Sequence, residues 1–399
     1  MARHENDHHP TGEHLTRSRF DPLAATRPQD VDFDLLLAGT VFFDLVFTGL
    51  PERPATGTEV WAEGMGSCPG GVANVAIAAS RLGLRTSLAA AFGDDSYGEF
   101  NWTTLSEQEG VDLSRAKRYD GWHSPVTVSM SVDLDRSMVS HGHPAPEDAS
   151  TMIGDPPRAQ ATLVDLRPEL EPWVAKAAGA GTLLFADTGW DPSGEWSEQM
   201  LSQLEHFHAF LPNSVEAMAY TRTDDPWAAL YALADRVPIA VVTAGAHGAL
   251  AVDSVSGEEE WVPALPVTPL DPTGAGDVFA AAFVTGTLAG WPLADRLGFA
   301  NLSAALAVQQ FGGSLAAPGW GDIADWWHAT EERASGARSQ WLRRYGFLRD
   351  IVQGVPQEAV RRATATIGRQ SDAHRSGGKA RNRTRHANTA GQSGAFGVS

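Results

Sequence analysis

Short, nearly unbroken apolar runs recur down the chain, and no other feature constrains the fold as much. Leu35-Leu36-Leu37-Ala38-Gly39 and Pro238-Ile-Ala-Val-Val-Thr243 are the clearest, and Thr86–Phe92, Thr162–Asp165, Thr182–Asp187 and Ala209–Leu211 repeat the pattern. Such runs are strands buried on both faces, which requires a mainly parallel sheet with helices packed over it. The helical stretches fall between them: 71–83, ended by Gly83, then 169–178, one from about Glu195, and two alanine-rich stretches at 276–290 and 293–310. A glycine stop and a β-α-β order of this kind predict an α/β domain.

One region breaks the rhythm. From His123 to Ser140 the chain alternates through Val126-Thr-Val-Ser-Met-Ser-Val-Asp-Leu, turns at Asp135-Arg136 and resumes at Met138-Val139. Alternation marks strands with one wet face, so a small separate sheet, a lid, is expected here. Past Thr243, Gly245 and Gly248 turn the chain into a β-meander through Trp261.

The expected organisation has four parts. Residues 1–30, polar with His4, His8, His9 and His14, read as a disordered tail; residues 31–320 form the domain, with lid segments at about 45–66 and 119–141. Residues 321–353 follow as a helical extension, with Trp341, Leu342, Tyr345, Phe347 and Leu348 as packing residues. Residues 354–399, rich in Arg, Ser and Gly, read as a disordered basic tail whose deletion leaves activity unchanged.

Composition removes several classes of function. At 399 residues, 43% hydrophobic and 20% charged, this is the composition of a soluble globular protein with a sizeable core. The net charge of -19 understates the acidity of the body, because eight basic residues between Arg361 and Arg385 face only Asp372. An acidic body argues against nucleic-acid binding. Lys117, Lys176 and Lys379 are the only lysines, and no Gly-x-x-x-x-Gly-Lys-Ser/Thr occurs, so a P-loop is excluded. A phosphate site must then rest on backbone N–H groups, arginine or a metal. The single cysteine, Cys68, excludes an intramolecular disulfide and a cysteine-based zinc site. No stretch approaches about 18 uncharged apolar residues, so a cytoplasmic protein without membrane contact is expected.

Four segments carry candidate chemistry. In Leu270-Asp-Pro-Thr-Gly-Ala-Gly-Asp277 a small-residue turn, Gly274-Ala275-Gly276, ends in Asp277 as a helix begins. Backbone N–H groups and the helix dipole there favour an anion, and a carboxylate in the first turn can take a proton; the same Asp also serves as a plain dipole-complementing residue. Cys68-Pro-Gly-Gly-Val-Ala-Asn74 places paired glycines before a helix, with Asn74 offering a donor and an acceptor or simply capping. Asn213-Ser-Val-Glu216 suits either Mg²⁺ with its waters or a capping box. Thr243-Ala-Gly245-Ala-His-Gly248 follows a buried strand, where open sheets bind ligands, and is equally compatible with a plain turn. The run Gly64-Met-Gly-Ser-Cys-Pro69 fails as a dinucleotide fingerprint, since proline stands at the third glycine position.

Taken in order, Gly70-Gly71-Val-Ala-Asn74, Arg81-Leu-Gly83, Gly93-Asp94-Asp95-x-x-Gly98, Asn213-x-x-Glu216, Thr243-x-Gly245-x-x-Gly248 and Asp271-Pro-Thr-Gly-Ala-Gly-Asp277 resemble the ribokinase-like (PfkB) carbohydrate kinases over roughly residues 33–318. The resemblance implies a three-layer α/β/α domain with a mainly parallel sheet and a β-sheet lid. It implies ATP-dependent phosphorylation of a sugar hydroxyl, with Asp277 as base and Gly274, Ala275 and Gly276 as anion hole. By the same likeness Asn213, Thr243, Gly245, Gly248 and Asn301 contact ATP, and Glu216 orders Mg²⁺ through water. Asp44, Gly70, Gly71 and Asn74 match the sugar-binding set. A K⁺ ion beside the anion hole is implied at Asp271 and Thr273, with Ala307, Gln310 and Gly312, and a homodimer is implied through the lid.

The departures concern the acceptor. Ribokinases proper carry lysine at the place of Val72, asparagine at the place of Phe42 and an acidic side chain near Arg167. Phe42 and Trp122 can stack on a sugar or a base, so a nucleoside kinase of the same fold stays open. A catalytically silent sugar sensor is the third alternative, opposed by the intact Asp277 and its glycines.

Overall fold

The computed structural model describes residues 20–362 apart from 133, 134, 190, 192, 311 and 333–337. In chain order the strands are β1 (Phe33–Ala38), β2 (Val41–Thr48), β3 (Gly64–Gly71), β4 (Thr86–Ala89), β5 (Ala91–Gly93), β6 (Lys117–Tyr119) and β7 (Val126–Val132). They continue as β8 (Asp135–His141), β9 (Ala159–Asp165), β10 (Leu183–Asp187), β11 (Ala209–Phe210), β12 (Ile239–Thr243), β13 (Ala249–Asp253) and β14 (Glu258–Val262). The helices are α1 (Val72–Arg81), α2 (Ser96–Thr103), α3 (Ala149–Ile153), α4 (Pro172–Gly179), α5 (Ser214–Thr221) and α6 (Pro226–Ala234). The last five are α7 (Ala275–Leu288), α8 (Leu293–Ala307), α9 (Trp320–Glu332), α10 (Arg338–Arg344) and α11 (Leu348–Gln353).

The central sheet has the order β14-β13-β12-β11-β10-β9-β1-β4. Its pairings are parallel from β4 to β12, and antiparallel where β12, β13 and β14 form the expected meander. Period-two alternation explains the unbroken apolar runs. Leu35 and Leu37 enter the core that holds α1, α7 and α8, whereas Leu36 enters the opposite core with Trp173, Leu204 and Leu230. All three leucines are fully buried, as a sheet covered on both faces demands. This is the three-layer α/β/α architecture expected from the sequence.

A second sheet, β3-β2-β7-β8, forms the lid. Its first part, from Val41 to Gly71, is wider than the expected 45–66, and its second, from Val126 to His141, is narrower than the expected 119–141, because Lys117–Tyr119 pairs with β5 instead. The stretch Cys68–Gly71, expected only to lead into the helix, is itself strand, with Pro69 opposite Phe43. Because β3 is an edge strand, the missing proline N–H costs no ladder bond on the outer side.

Three further expectations are corrected. The helix from about Glu195 is a 3₁₀ segment, Glu198–His206, with the Ser197 hydroxyl accepting from the Gln199 N–H. Residues 20–30, assigned to a tail, pack: Leu23 is buried, and Arg27 bonds both Asp21 and the fully buried Asp34 carboxylate. Burying Asp34 requires a cation, and Arg27 supplies it. His4, His8, His9 and His14 lie outside the described residues, as does the part of the basic tail from 363 to 399. Residues 354–362, also assigned to a tail, bury Ala359 and Val360 and pair Arg361 with Asp325 and Arg362 with Asp322.

The C-terminal helices dock on the α1–α8 side through aromatic contacts. Trp320 stacks on Phe299 at 5.3 Å and meets Phe20 edge-on at 5.0 Å, and its indole N–H reaches the Leu82 carbonyl. Beneath them lies a buried ion pair. Arg81 forks onto Glu109 at 2.8 and 2.7 Å while its third arm donates to the Leu315 and Ala317 carbonyls at 2.9 and 2.6 Å. Glu109→Ala leaves a guanidinium buried with half its partners gone, so a loss of about 3–5 kcal/mol in denaturant unfolding is expected.

Candidate active site

At the carboxyl edge of the parallel strands two helix N-termini converge. α7 starts at Gly274, whose φ of 76° is in the left-handed region, and no side chain caps it. Of the amides at this start, that of Ala275 donates to the Pro272 carbonyl at 3.2 Å, while those of Gly274 and Gly276 have no carbonyl partner among the described residues and point the helix's positive end toward an anion. Asp277 is carried in that first turn. α1 starts just after Gly71 and brings Asn74 across the gap, so that its side-chain N–H donates to the Asp277 carboxylate at 2.9 Å. The other Asn74 atom, Oδ1, is buried without a hydrogen-bond partner among the described residues.

The lid completes this corner. Asp44, 7% exposed, lies on β2 opposite Cys68 and diagonally across from Gly70, which stands opposite Phe42. A Cβ on Gly70 would fall 1.9 Å from the Asp44 carboxylate oxygen, and one on Gly71 2.4 Å from the Thr40 carbonyl. Paired glycines are thus needed for the strand to pass the carboxylate and turn into α1. Cys68 is sealed in the core, where burial and then Asp44 push its thiol far up, so it is inert.

The phosphate-side candidates also come together. Asn213 accepts from the amides of Val215 and Glu216 while Glu216 Oε2 accepts from the Asn213 N–H at 2.9 Å, a complete capping box. A bridge between Asn213 and Thr243 places the start of α5 beside the end of β12. Gly248 has a φ of 98°, and a Cβ there would meet the Val262 carbonyl at 2.1 Å. Asn301 is buried and its amide N–H is committed to that same Val262 carbonyl at 2.8 Å, so it ties α8 to β14.

Asp271 is almost fully buried and accepts from the amides of Thr273 at 2.9 Å and Gly312 at 3.4 Å. The Thr273 hydroxyl has no partner among the described residues. Arg167 lies apart from these groups: it pairs with Glu171 at 3.2 Å and lines a cavity of about 350 Å³ at the ends of β9 and β10 with Asp165, Asp191, Met200 and Tyr220. Trp122 gives its indole N–H to the Pro144 carbonyl.

Sequence reasoning missed Asp187. It ends β10 opposite Asp165 on β9, and its only sequence signal is that two apolar runs each finish in aspartate. Burial drives its carboxyl well above the ordinary range, against one bond from the Thr188 N–H, and Asp277, Glu216 and Asp165 push the same way. Burial also raises Glu216, opposed by the bond from Asn213. Asp165 has Arg167 to offset its charge, whereas burial and neighbouring carboxylates leave Asp187 under a strain that a bound cation would relieve.

The sign for stability follows from linkage. The folded Asp187 holds its proton to higher pH than the unfolded chain, so the native state binds more protons and stability falls as pH rises above the ordinary value of 3.8. Asp187→Asn is expected to raise the thermal unfolding midpoint at pH 7, with the gain fading below about pH 4. An unchanged midpoint at pH 7 contradicts the strain.

Comparison with known proteins gives the family and the fold. The profile of the pfkB family carbohydrate kinases matches residues 45–319. A nucleoside kinase of Methanothermobacter thermautotrophicus is 27% identical, covering 73% of this chain and 94% of its own. The ribokinase of Bacillus subtilis is 27% identical over 70% of this chain and 94% of its own. The fold is also that of the Arabidopsis thaliana ribokinase solved with ribose and ATP, at a TM-score of 0.58 and 21% identity, covering 72% of this chain and 96% of that one. The chain belongs to the pfkB family of carbohydrate kinases and is an ATP-dependent kinase of the sugar and nucleoside class.

Proposed function

We propose that the protein phosphorylates a sugar hydroxyl, with Asp277 as the general base. The observation that carries this reading is the 2.9 Å contact between Asn74 and Asp277, which joins the acceptor side of the site to the first turn of an uncapped helix. The acceptor hydroxyl gives its proton to the Asp277 carboxylate as its oxygen bonds to the γ-phosphorus of ATP. The bond to the bridging oxygen breaks, and ADP leaves with that electron pair. Amides of Gly274 and Gly276 meet the charge on the transferring group, which strengthens as the reaction proceeds, and that of Ala275 joins them by turning from the Pro272 carbonyl it now meets at 3.2 Å.

The other roles follow from position. Asp44 and the free Asn74 Oδ1 hold acceptor hydroxyls, and Gly70 and Gly71 let the acceptor approach the backbone. ATP lies along Asn213 and the Thr243–Gly248 turn, with Asn301 at its far end acting through the Val262 carbonyl. The residues fit Mg²⁺: Glu216 and Asp187 offer carboxylates in surplus of local cations. Bound there through water, Mg²⁺ would neutralise phosphate charge. Thr273 Oγ1, buried and unpartnered beside Asp271, fits a K⁺ site. The lid edges β3 and β8 pair with a second copy in a homodimer, and the lid keeps water from the acceptor.

A nucleoside acceptor is the second reading. Phe42 shares the Asp44 face of β2, and its ring lies 2.9 Å from the Cβ position of Gly71, where it can stack on a base. ADP release across a panel of sugars and nucleosides separates the two.

Asp277→Asn is expected to lower kcat/KM by about 10²–10⁴ while ATP affinity stays within a few-fold. Turnover and calorimetric ATP binding check this together. Phosphorylation within a few-fold of wild type rules Asp277 out as the base.

A further inference from the structure

We propose that Arg362 is a positioning residue of the kinase centre, and that residues 354–362 are a strap holding the floor of the anion hole. The inference rests on the phosphoryl-transfer reading of the turn from Asp271 to Asp277.

The final carbonyls of a helix have no partner within it and must be satisfied elsewhere. At the end of α8, the Ala304 and Ala307 carbonyls accept from the amides of Val308 and Gln310, and Ala305 accepts from the Gln309 side chain. The fourth, Leu306, is met by Arg362 Nη1 at 2.6 Å. A cation at that end also complements the helix dipole. Directly after it, the Val308 carbonyl accepts from the amides of Leu270 at 2.7 Å and Asp271 at 3.1 Å. Asp271 in turn binds the amides of Thr273 and Gly312. The turn leading into Gly274 is therefore suspended from the end of α8, and Arg362 fixes that end.

Arg362 is itself held rather than loose. Its Nε and its backbone N–H both donate to the Asp322 carboxylate, at 3.0 and 2.8 Å, in the first turn of α9. The Gly319 amide completes that carboxylate at 3.0 Å. The dock is specified in the sequence as well. A Cβ on Gly319 would lie 2.1 Å from the Val360 carbonyl, and one on Gly321 2.8 Å from the Ala359 carbonyl, so two glycines admit the strap's backbone. The Gly321 N–H closes on the Val360 carbonyl at 3.0 Å. The strap lies beyond residue 319, where the family match ends.

The test compares the full chain, a chain ending at residue 362, a chain ending at 353, and the full-length variants Arg362→Ala and Arg362→Lys. Initial rates with ATP varied are paired with hydrogen–deuterium exchange of peptides spanning 306–316. The chain ending at 362 should match the full chain within about twofold. Arg362→Ala and the chain ending at 353 should lose about tenfold in kcat with KM for ATP within about threefold, and lysine should restore part of the loss. Exchange in 306–316 should quicken in Arg362→Ala while β12–β14 stay unchanged. Wild-type kcat in Arg362→Ala, or unaltered exchange at 306–316, overturns the proposal. A full chain inactive toward every sugar and nucleoside overturns the kinase reading instead, and the exchange comparison still decides whether Arg362 holds the loop.

Discussion

The contact between Asn74 and Asp277 is the constraint on which the site depends, because it joins residues 203 apart in sequence at the N-termini of two helices. Each helix alone is ordinary. α1 carries paired glycines and an asparagine, and α7 a small-residue turn and an aspartate. Brought tip to tip, they place a carboxylate, an amide and uncapped backbone N–H groups in one corner, with positive helix ends on both sides. A phosphate chain and a polyol need that mixture. The tight approach admits few side chains: Gly70, Gly71 and Gly274 occupy the positions where the backbone passes Asp44 or turns left-handed.

The corner is expensive to hold. Asp187, Asp165, Glu216 and Asp277 crowd the carboxyl edge of the sheet with no lysine nearby among the described residues; burial raises both Asp187 and Glu216, and at Asp187 the neighbouring carboxylates push the same way. The same acidity suits cation-bound phosphates. Stability comes from elsewhere in the molecule, from two apolar cores on the faces of the sheet and from the aromatic docking of the C-terminal helices on α1 and α8. The Arg81–Glu109 pair and the Arg362–Asp322 pair fasten the connection between α8 and α9, which lies under the turn into Gly274.

Much of this was legible in the sequence because it rests on local rules. Leu35–Leu37 and Ile239–Thr243 declare doubly covered strands by composition, and Gly274-Ala-Gly-Asp277 declares an uncapped helix start. What escaped depends on distant partners. Arg27 reads as a tail residue until Asp34 is seen beneath it, and Arg362 blends into a run of arginines until the Leu306 carbonyl is seen to need a donor. Asp187 looks like one strand-ending aspartate among several, and only three-dimensional proximity to Asp277 and Glu216 sets it apart. Cys68–Gly71 hides its strand for a related reason: glycine and proline are poor strand formers locally, yet pairing with Val41–Asp44 makes them an edge strand.

If Asn74 and Asp277 act as one unit, their contributions to catalysis cannot be independent. The direct measurement is a double-mutant cycle on kcat/KM with Asn74→Ala, Asp277→Asn and the pair combined. The expected result is a combined loss well short of the product of the two single losses, because the amide has no carboxylate left to orient and only its contact with the acceptor remains to be lost. Losses that multiply in the double variant would show two separate groups and contradict the shared corner.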